Sequence, residues 1–280
     1  MRYFPALLLT MAACFGMQLL ALQAVGGRTT KSESNYYSSI ARIQNGVQEP
    51  PAVMLLGSSR TGRMPSGTFG GLHIANMGCD GGSAAIVLRA IDRGELPAAP
   101  VMTIEGNTLL HDLEHRGHEI STAIGSPWFR VGMHIPNFSA TARPAAFVYS
   151  LLLSRKVGRE AGSDGPRLPV PAIARRVKTG VPLPADAGTL VHEFHAICGR
   201  LQQRGVRLML VILPPGANEG SLNMRIPRAL SKESGVPLLD LTAELPPGAV
   251  RYTDGVHMTP ASAASALRTI LVALGESGSR

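Results

Sequence analysis

A short apolar stretch that ends in two serines is the first feature of this sequence that could support chemistry. Residues Val53 to Leu56 are all apolar, and they are followed by Gly57, Ser58 and Ser59. Four apolar residues after two prolines predict a short strand buried on both faces, and the glycine and serines predict a sharp turn. Parallel-sheet enzymes hold their reacting groups at such strand ends. Ser59 is therefore a candidate nucleophile, although an ordinary serine-rich turn has the same composition.

A second candidate group lies close to the end of the chain, where Asp254 and His257 are separated by Gly255 and Val256. Across a glycine turn, this spacing can place the carboxylate against one imidazole nitrogen and leave the other nitrogen free. The pair then forms a general base with its orienting group. A surface turn without chemistry is the alternative for an isolated pair of this kind.

The elements that must position these residues alternate along the chain. Apolar runs predict strands at 52–57, 72–75, 100–104, 206–213 and 236–241, and a glycine-rich loop at 76–82. Helical periodicity predicts helices at 84–93, with Ser83 as N-cap, and at 109–120, 145–157, 187–204, 222–234 and 261–274. If a further helix starts near Arg60, its first amides and positive dipole end face the Ser59 hydroxyl. The pattern predicts an α/β fold with a mostly parallel sheet covered on both faces.

Four short blocks occur in order along this frame: Gly57-Ser58-Ser59, Asn76-Met77-Gly78-Cys79-Asp80-Gly81, Gly106-Asn107 and Asp254-Gly255-Val256-His257. In these blocks the sequence resembles the SGNH or GDSL-type hydrolase family, whose motifs are G-D-S, N-x-G-x-x-G, G-x-N and D-x-x-H. The second and fourth blocks match in full. The first has Ser58 in place of aspartate, and the third has Glu105 at the first-glycine position and Thr108 in place of a frequent aspartate.

The resemblance covers about Val53 to Leu274 and implies an SGNH-hydrolase-like (flavodoxin-like) three-layer α/β/α fold. Carried over residue by residue, it implies that Ser59 is the nucleophile, His257 the general base and Asp254 its orienter. It further implies an oxyanion hole made of the Ser59 and Gly81 backbone amides and the Asn107 side-chain amide. It implies neither a cofactor nor a metal.

The G-S-S variant, the missing aspartate of the third block and an apolar N-terminus resemble the envelope-associated branch, which includes DltD-like and polysaccharide O-acetylation proteins. This resemblance implies a membrane-anchored extracytoplasmic serine esterase or O-acyltransferase acting on acyl esters, with acetyl esters expected, of an envelope polymer or exopolysaccharide. A membrane acyltransferase or glycan synthase is a candidate partner. A small-molecule or lipid esterase, and an idle binding or assembly subunit of a polysaccharide machine, are the alternatives.

The N-terminal segment Phe4 to Val25 carries no charge and is long enough to cross a bilayer as a helix. We expect an uncleaved single-pass anchor of the inner membrane with the main domain in the periplasm. The alternative is a signal segment that is cleaved to release a periplasmic protein. We divide the chain into an anchor or signal segment at 1–27, a linker that could include a short helix at 28–50, and a hydrolase-like domain at 51–280.

Within that domain, residues 125–190 form a proline-rich insertion with nine Lys or Arg against three Asp or Glu, which supplies most of the net charge of +8. Together with the apolar run 147–153, this composition predicts a cover that faces an anionic polymer or the membrane surface, or a decorative insertion. The basic residues are dispersed and only 5% of residues are aromatic, so no nucleic-acid module is expected.

Other reactive side chains allow both a chemical and a plain structural interpretation. Cys79 and Cys198 form either a disulfide or two buried thiols. The histidines lack metal-binding frames and are expected on solvated helix faces; they are His111, His115, His118, His192 and His195. The stretch 57–64 resembles a phosphate-binding loop but has Arg63 and Met64 at the two chemical positions, which excludes that function.

Overall fold

Six strands form one mixed sheet in a computed structural model that describes residues 3–24, 32–149, 152, 185–216, 220–246 and 248–275. The strands are β1 (Val53–Ser58), β2 (Gly67–Phe69), β3 (Leu72–Cys79), β4 (Val101–Glu105), β5 (Arg207–Ile212) and β6 (Leu238–Asp240). Their order across the sheet is β2-β3-β1-β4-β5-β6. Only β2 runs antiparallel to its neighbour, at the edge beside β3, and the other strands pair in parallel.

Helices connect the parallel strands except β1 and β3, which are joined through a 3-10 turn and β2. The helices are α1 (Phe4–Ala24), α2 (Asn35–Gly46), α3 (Ala84–Asp92), α4 (Leu110–Leu113), α5 (His118–Ile124), α6 (Pro127–His134), α7 (Ala185–Gln203), α8 (Leu222–Ser234), α9 (Leu241–Glu244) and α10 (Pro260–Ala273). Residues 144–149 are also helical. The predicted α/β class is confirmed, with a mixed six-stranded sheet.

The sheet has an apolar core on each face because the side chains of β1 alternate between them. Met54 and Leu56 point into a cluster with α2, α3 and α7. Val53 and Leu55 point into the opposite cluster, which is built largely on α10. Every residue of β1 is buried, as expected of a central strand covered on both sides. The turn after β1 therefore follows a strand that is buried along its whole length.

The helix α2 lies in the region that was predicted as a linker or short helix, and it belongs to the core. Ile40, Ala41 and Ile43 are buried against β3. Ser34 caps the helix by accepting a hydrogen bond from the Tyr37 amide. The folded domain thus begins near residue 35 instead of residue 51, because the apolar spacing in this polar stretch is sufficient to bury one helix face.

Three local predictions around the site are wrong. The chain after Ser59 forms only a 3-10 turn at Thr61–Arg63, so no α-helix dipole faces that hydroxyl. The strand expected at 72–75 continues to Cys79, which places Asn76 and Gly78 within β3 instead of in a loop. The helix expected at 109–120 is divided into α4 and α5, because Gly117 takes a left-handed conformation with φ of 79°.

The basic insertion is described only in part. Its described portion contains α6, two 3-10 turns at Pro136–Phe138 and Ala140–Ala142, and the helical residues 144–149. Most of its basic residues, including Arg155, Lys156 and Arg175, lie outside the described residues. The predicted cover over the site therefore remains a prediction.

Cys79 and Cys198 are free thiols buried in the core, and burial raises their pKa values to about 12 and about 11. Such thiols are protonated and inert at neutral pH.

The segment Phe4–Ala21 within α1 is long and apolar enough to span a membrane or to act as a signal sequence.

Candidate active site

The turn that carries Ser59 is held from below by a carboxylate on the neighbouring strand. Glu105, the last residue of β4, is 2% exposed. It accepts hydrogen bonds from the Ser58 amide (2.7 Å), the Ser58 hydroxyl (3.0 Å) and the Thr61 hydroxyl (2.7 Å). A side chain at Gly57 would overlap both Thr61 and this carboxylate, which explains the glycine. Glu105 therefore fixes both ends of the turn around Ser59.

Asp254 and His257 are held in a tight loop immediately before α10. Tyr252 and Met258 form an antiparallel bridge across the base of the loop. Gly255 takes a φ of 84°, which allows the chain to reverse. Asp254 Oδ1 accepts hydrogen bonds from the His257 amide at 2.8 Å and the Val256 amide at 3.1 Å. The carboxylate is thus oriented by the backbone of its own loop.

The three residues predicted to form a triad are brought together in space. His257 Nδ1 lies 2.6 Å from Asp254 Oδ2. His257 Nε2 lies 2.8 Å from Ser59 Oγ, although the two residues are 198 positions apart in the chain. Both distances are hydrogen-bond distances. A hydroxyl, an imidazole and a carboxylate in this order can transfer a proton away from the serine during nucleophilic attack.

The protonation state of Asp254 suits its place in this relay. Partial burial alone would raise its pKa, but hydrogen bonds from the His257 amide and ring and from the Val256 amide outweigh burial and lower the pKa to about 2. The carboxylate is therefore ionised at neutral pH. An ionised oxygen at Nδ1 keeps the ring proton on that nitrogen and leaves Nε2 free to accept the proton of Ser59.

Two of the three predicted oxyanion donors have amides that are free within the described residues. Ser59 lies just beyond β1 and Gly81 lies in the turn beyond β3, and neither amide is taken up by a hydrogen bond there. Free backbone amides at the carboxyl edge of the sheet can receive the negative charge that forms on a carbonyl oxygen during acyl transfer. Gly81 has a φ of 80°, a conformation that glycine adopts readily.

The position of Gly81 is set by contacts made from α2 and β3. Arg42 is 2% exposed, donates to the Gly78 carbonyl and forms an ion pair with Asp80 at 2.6 Å. The Asp80 amide also donates to the Ser39 hydroxyl at 2.8 Å. The loop that presents the Gly81 amide is thus fastened to α2, a contact between segments that are distant in the sequence.

Asn107, the third predicted donor, lies at the same edge but has a structural partner. Its Nδ2 donates to the Leu213 carbonyl at 2.9 Å, and its Oδ1 accepts from the Leu213 amide at 3.2 Å. The side chain is 2% exposed, and it joins the end of β4 to the end of β5. An amide nitrogen carries two hydrogens, so one remains for an oxyanion.

Replacing Asn107 by alanine is therefore expected to have two effects. Loss of one oxyanion donor should lower kcat about 10²- to 10³-fold. Loss of both bonds to Leu213 should also destabilise the fold by about 1–3 kcal/mol, because buried backbone groups lose their partners. Steady-state kinetics on a small ester and urea unfolding measure the two effects separately. A destabilised variant with unchanged kcat would leave Asn107 a structural role only.

Sequence reasoning missed the part played by Glu105. It identified this residue only as a departure from the third motif, just as Ser58 is a departure from the first. The two departures touch each other, since the Ser58 hydroxyl and amide both donate to Glu105. Glu105 thus supplies a carboxylate to the turn from the adjacent strand β4. The sequence did contain a signal for this role: Glu105 is an acidic residue at the end of an apolar strand.

Of the histidines that were considered as metal ligands, His111 lies beside the Gly81 turn, with Nδ1 3.3 Å from the Gly82 carbonyl oxygen. A cavity of about 480 Å³ opens between α3, α4, α5 and α7, and its lining includes His115 and His118. Across this lining, Arg89 pairs with Asp112 at 2.7 Å and with Glu193 at 2.7 Å. Among the described residues, no group of three or more His, Cys, Asp or Glu side chains is arranged to hold a metal ion.

No family model, curated protein or solved structure matches this chain. The functional interpretation therefore depends on the geometry of the Ser59, His257 and Asp254 side chains and of the amides around them.

Proposed function

We propose that this protein is a membrane-anchored extracytoplasmic serine esterase or O-acyltransferase of the SGNH type. The observation that carries the proposal is the continuous relay from Ser59 Oγ to His257 Nε2 and from His257 Nδ1 to Asp254 Oδ2. The strand order also supports it. Counted among themselves, the five parallel strands have the order 2-1-3-4-5, in which the connections reverse direction between β1 and β4. Ligands of such sheets bind at that point, and Ser59 and Asn107 flank it.

In the proposed reaction, Ser59 Oγ attacks the carbonyl carbon of an acyl ester while His257 Nε2 takes its proton. The negative charge moves to the carbonyl oxygen, which the amides of Ser59 and Gly81 can receive. When the intermediate collapses, the bond to the alcohol oxygen breaks and His257 returns the proton to that alcohol. The acyl group is then an ester of Ser59, and water or an acceptor hydroxyl removes it by the same steps in reverse.

The exposure of the relay and the N-terminal helix support a polymer as the substrate. The side chain of Asp254 is 50% exposed, and the loop that carries it lies at the surface. A site near the surface suits a chain that is much larger than the enzyme. The helix α1 would hold this site beside the membrane, where envelope polymers are made and exported. On this basis we favour an acylated envelope polysaccharide over a small soluble ester.

Labelling with a fluorophosphonate probe tests the proposal directly. The folded wild-type protein is expected to form a covalent adduct at Ser59, and Ser59→Ala is expected to form none. Ser58→Ala is the matched control, because it removes a neighbouring hydroxyl and leaves the relay to His257 in place. The control should still be labelled, and mass spectrometry of a peptide digest locates the adduct. Folded wild-type protein that never reacts would favour the idle binding subunit.

A further inference from the structure

Outside α1, the large apolar side chains that are exposed in the described residues are concentrated in one stretch of chain. The six that form this stretch, here called the apolar face, are Trp128, Ile135, Phe138, Val148, Tyr149 and Leu152. Of the other two in the described residues, Tyr3 directly precedes α1 and Val272 lies on α10. Trp128 is 74% exposed and Phe138 is 49% exposed. The helix α6, which carries Trp128, packs against the turn that carries Phe138. Exposed apolar side chains on adjoining elements mark an interaction surface, whereas isolated ones do not.

The apolar face is attached directly to α1. Phe15 and Phe138 pack with their ring centroids 5.6 Å apart. Beside them, Gln18 Nε2 donates to the Asn137 carbonyl at 3.1 Å and to the Ala142 carbonyl at 2.7 Å. Asn137 Nδ2 in turn donates to the Phe15 carbonyl at 3.1 Å and to Gln18 Oε1 at 3.2 Å. The two amide side chains thus join the domain to one side of the apolar helix.

A second set of contacts fastens the same stretch to the chain that leads away from α1. Arg143 forms an ion pair with Glu33, just before α2. Its guanidinium also lies over the Tyr37 ring, 3.3 Å from the centroid. The stretch that carries the apolar face is therefore joined both to α1 and to the start of α2.

The position of these contacts along α1 identifies what covers the face. The apolar segment Phe4–Ala21 has 18 residues and is about 27 Å long, close to the thickness of the hydrocarbon core. Phe15 and Gln18 lie in its last two turns. Side chains that touch them would lie at the boundary between hydrocarbon and head groups, where tryptophan and tyrosine are enriched in membrane proteins. Polar side chains at that depth need partners within the protein, and Gln18 and Asn137 supply each other.

We propose that the apolar face lies in the outer interfacial layer of the bilayer that α1 spans, so that the domain rests on the lipid in a fixed orientation. This inference rests on the proposed function only in taking α1 as an uncleaved anchor. It adds a lipid-binding surface to the domain itself. The composition of the face suits acyl chains and glycerol esters of phospholipids, and it requires no specific head group.

The test uses the full-length chain, in which Trp128 is the single tryptophan and reports on the apolar face alone. The protein is reconstituted in phosphatidylcholine vesicles, and its fluorescence is compared in vesicles whose acyl chains are brominated near the ester end or near the methyl end. We expect a blue-shifted emission that is quenched by both lipids, and more strongly by bromine near the ester end. Emission at the wavelength of exposed tryptophan, without quenching by either lipid, would overturn the proposal.

Variants establish that the face and its attachment cause the quenching. The double variant Ile135→Asp and Phe138→Asp, and separately Asn137→Ala, should reduce the quenching of Trp128. Val272→Asp is the matched control, since it places the same charge on the other exposed apolar residue and should change nothing. Circular dichroism checks that each variant is folded. Equal quenching in all variants would show that Trp128 meets lipid for another reason and would contradict the proposed attachment.

Failure of this inference is distinguishable from failure of the proposed function. The intact mass of the vesicle-bound protein reports whether α1 is retained, and fluorophosphonate labelling reports on Ser59 independently of Trp128. A retained α1 and a labelled Ser59 with no lipid quenching would refute the lipid surface alone. If cross-linking in the same vesicles then joined two chains through this face, a second copy would be its occupant.

Discussion

Replacing Asp254 by asparagine is expected to lower kcat on a small ester about 10⁴-fold and to lower stability modestly, because the ionised carboxylate stabilises the folded state at neutral pH. The Oδ1 atom of asparagine can still accept from the Val256 and His257 amides, so the loop retains its shape. The other atom becomes an amide nitrogen that donates towards His257 Nδ1. The ring then carries its proton on Nε2 and can no longer accept the proton of Ser59. Steady-state kinetics and thermal unfolding of the purified variant measure the two quantities.

The control for this substitution is Asp240→Asn. Asp240 also caps its own turn, because its Oδ1 accepts from the Thr242 amide at 2.9 Å, but it lies on β6 and has no part in the relay. We expect wild-type kinetics from this variant. Equal activity of the Asp254→Asn and wild-type proteins would show that the carboxylate is not needed to orient His257.

The lowered pKa of Asp254 makes the stability of the folded protein depend on pH in the acid range. Because the pKa is lowered to about 2 in the folded protein, the carboxylate contributes stability above its unfolded value of about 4. That contribution is lost as pH falls from about 4 through about 2. Urea unfolding at several pH values should therefore show the stability of wild type relative to Asp254→Asn decreasing as the pH falls from about 4 to about 2.

Replacing Glu105 by alanine is expected to lower kcat about 100-fold, because small displacements of a reacting group have effects of this size. The substitution leaves the Ser58 amide and the Ser58 and Thr61 hydroxyls without their acceptor. Each orphaned buried group costs about 1–3 kcal/mol, so stability should fall as well. Glu105 is buried beneath the turn and does not reach a substrate. We therefore expect KM for a small ester to change little.

Two further variants separate positioning from general stability. Glu105→Gln retains an acceptor for the Ser58 amide and should restore part of kcat. Thr103→Val removes a neighbouring buried hydroxyl of β4 that is not one of the donors to Glu105, and it should leave kcat unchanged. If Glu105→Ala were destabilised but kept its full kcat, Glu105 would support the fold without positioning Ser59.

Segments whose pattern is local were predicted well from the sequence. The helix α3 begins after Ser83, whose side chain accepts from the Ala85 amide, close to the predicted bounds. The helix α8 covers Leu222–Ser234 and ends at Gly235 in the left-handed conformation. In each case the cap and the apolar face are set by neighbours within a few turns. Long periodic segments of this kind need little information from the rest of the chain.

Errors arose where distant side chains determine the backbone. The helix predicted near Arg60 is absent because the Asn76 side chain donates to the Thr61 carbonyl at 2.7 Å and to the Met64 carbonyl at 2.8 Å. Those carbonyls would otherwise accept the hydrogen bonds of a continuing helix. The same side chain accepts from the Gly78 amide within β3. Local periodicity does not predict such hydrogen bonds, because they join a strand to a turn that it meets only in the folded protein.

The proximity of the candidate site residues was predictable, but the contacts that support them were not. The order of four blocks predicted that Ser59, Asn107, Asp254 and His257 meet at one sheet edge, and the structure brings them to that edge. The sequence did not show that Asn107 is bound to Leu213 or that Glu105 lies under the turn. Both depend on the register of neighbouring strands, where Glu105 pairs with Val211 of β5.

Under the proposed function, the burial of α2 in the core limits how far from the membrane Ser59 could act. Ten residues separate the end of α1 at Ala24 from the start of α2 at Asn35, and even a fully extended chain of that length spans at most about 35 Å. Under the proposed function, Ser59 is therefore confined to a thin zone beside the bilayer. A polymer would be modified as it leaves the membrane, one segment after another, and finished material further out in the envelope would be beyond reach.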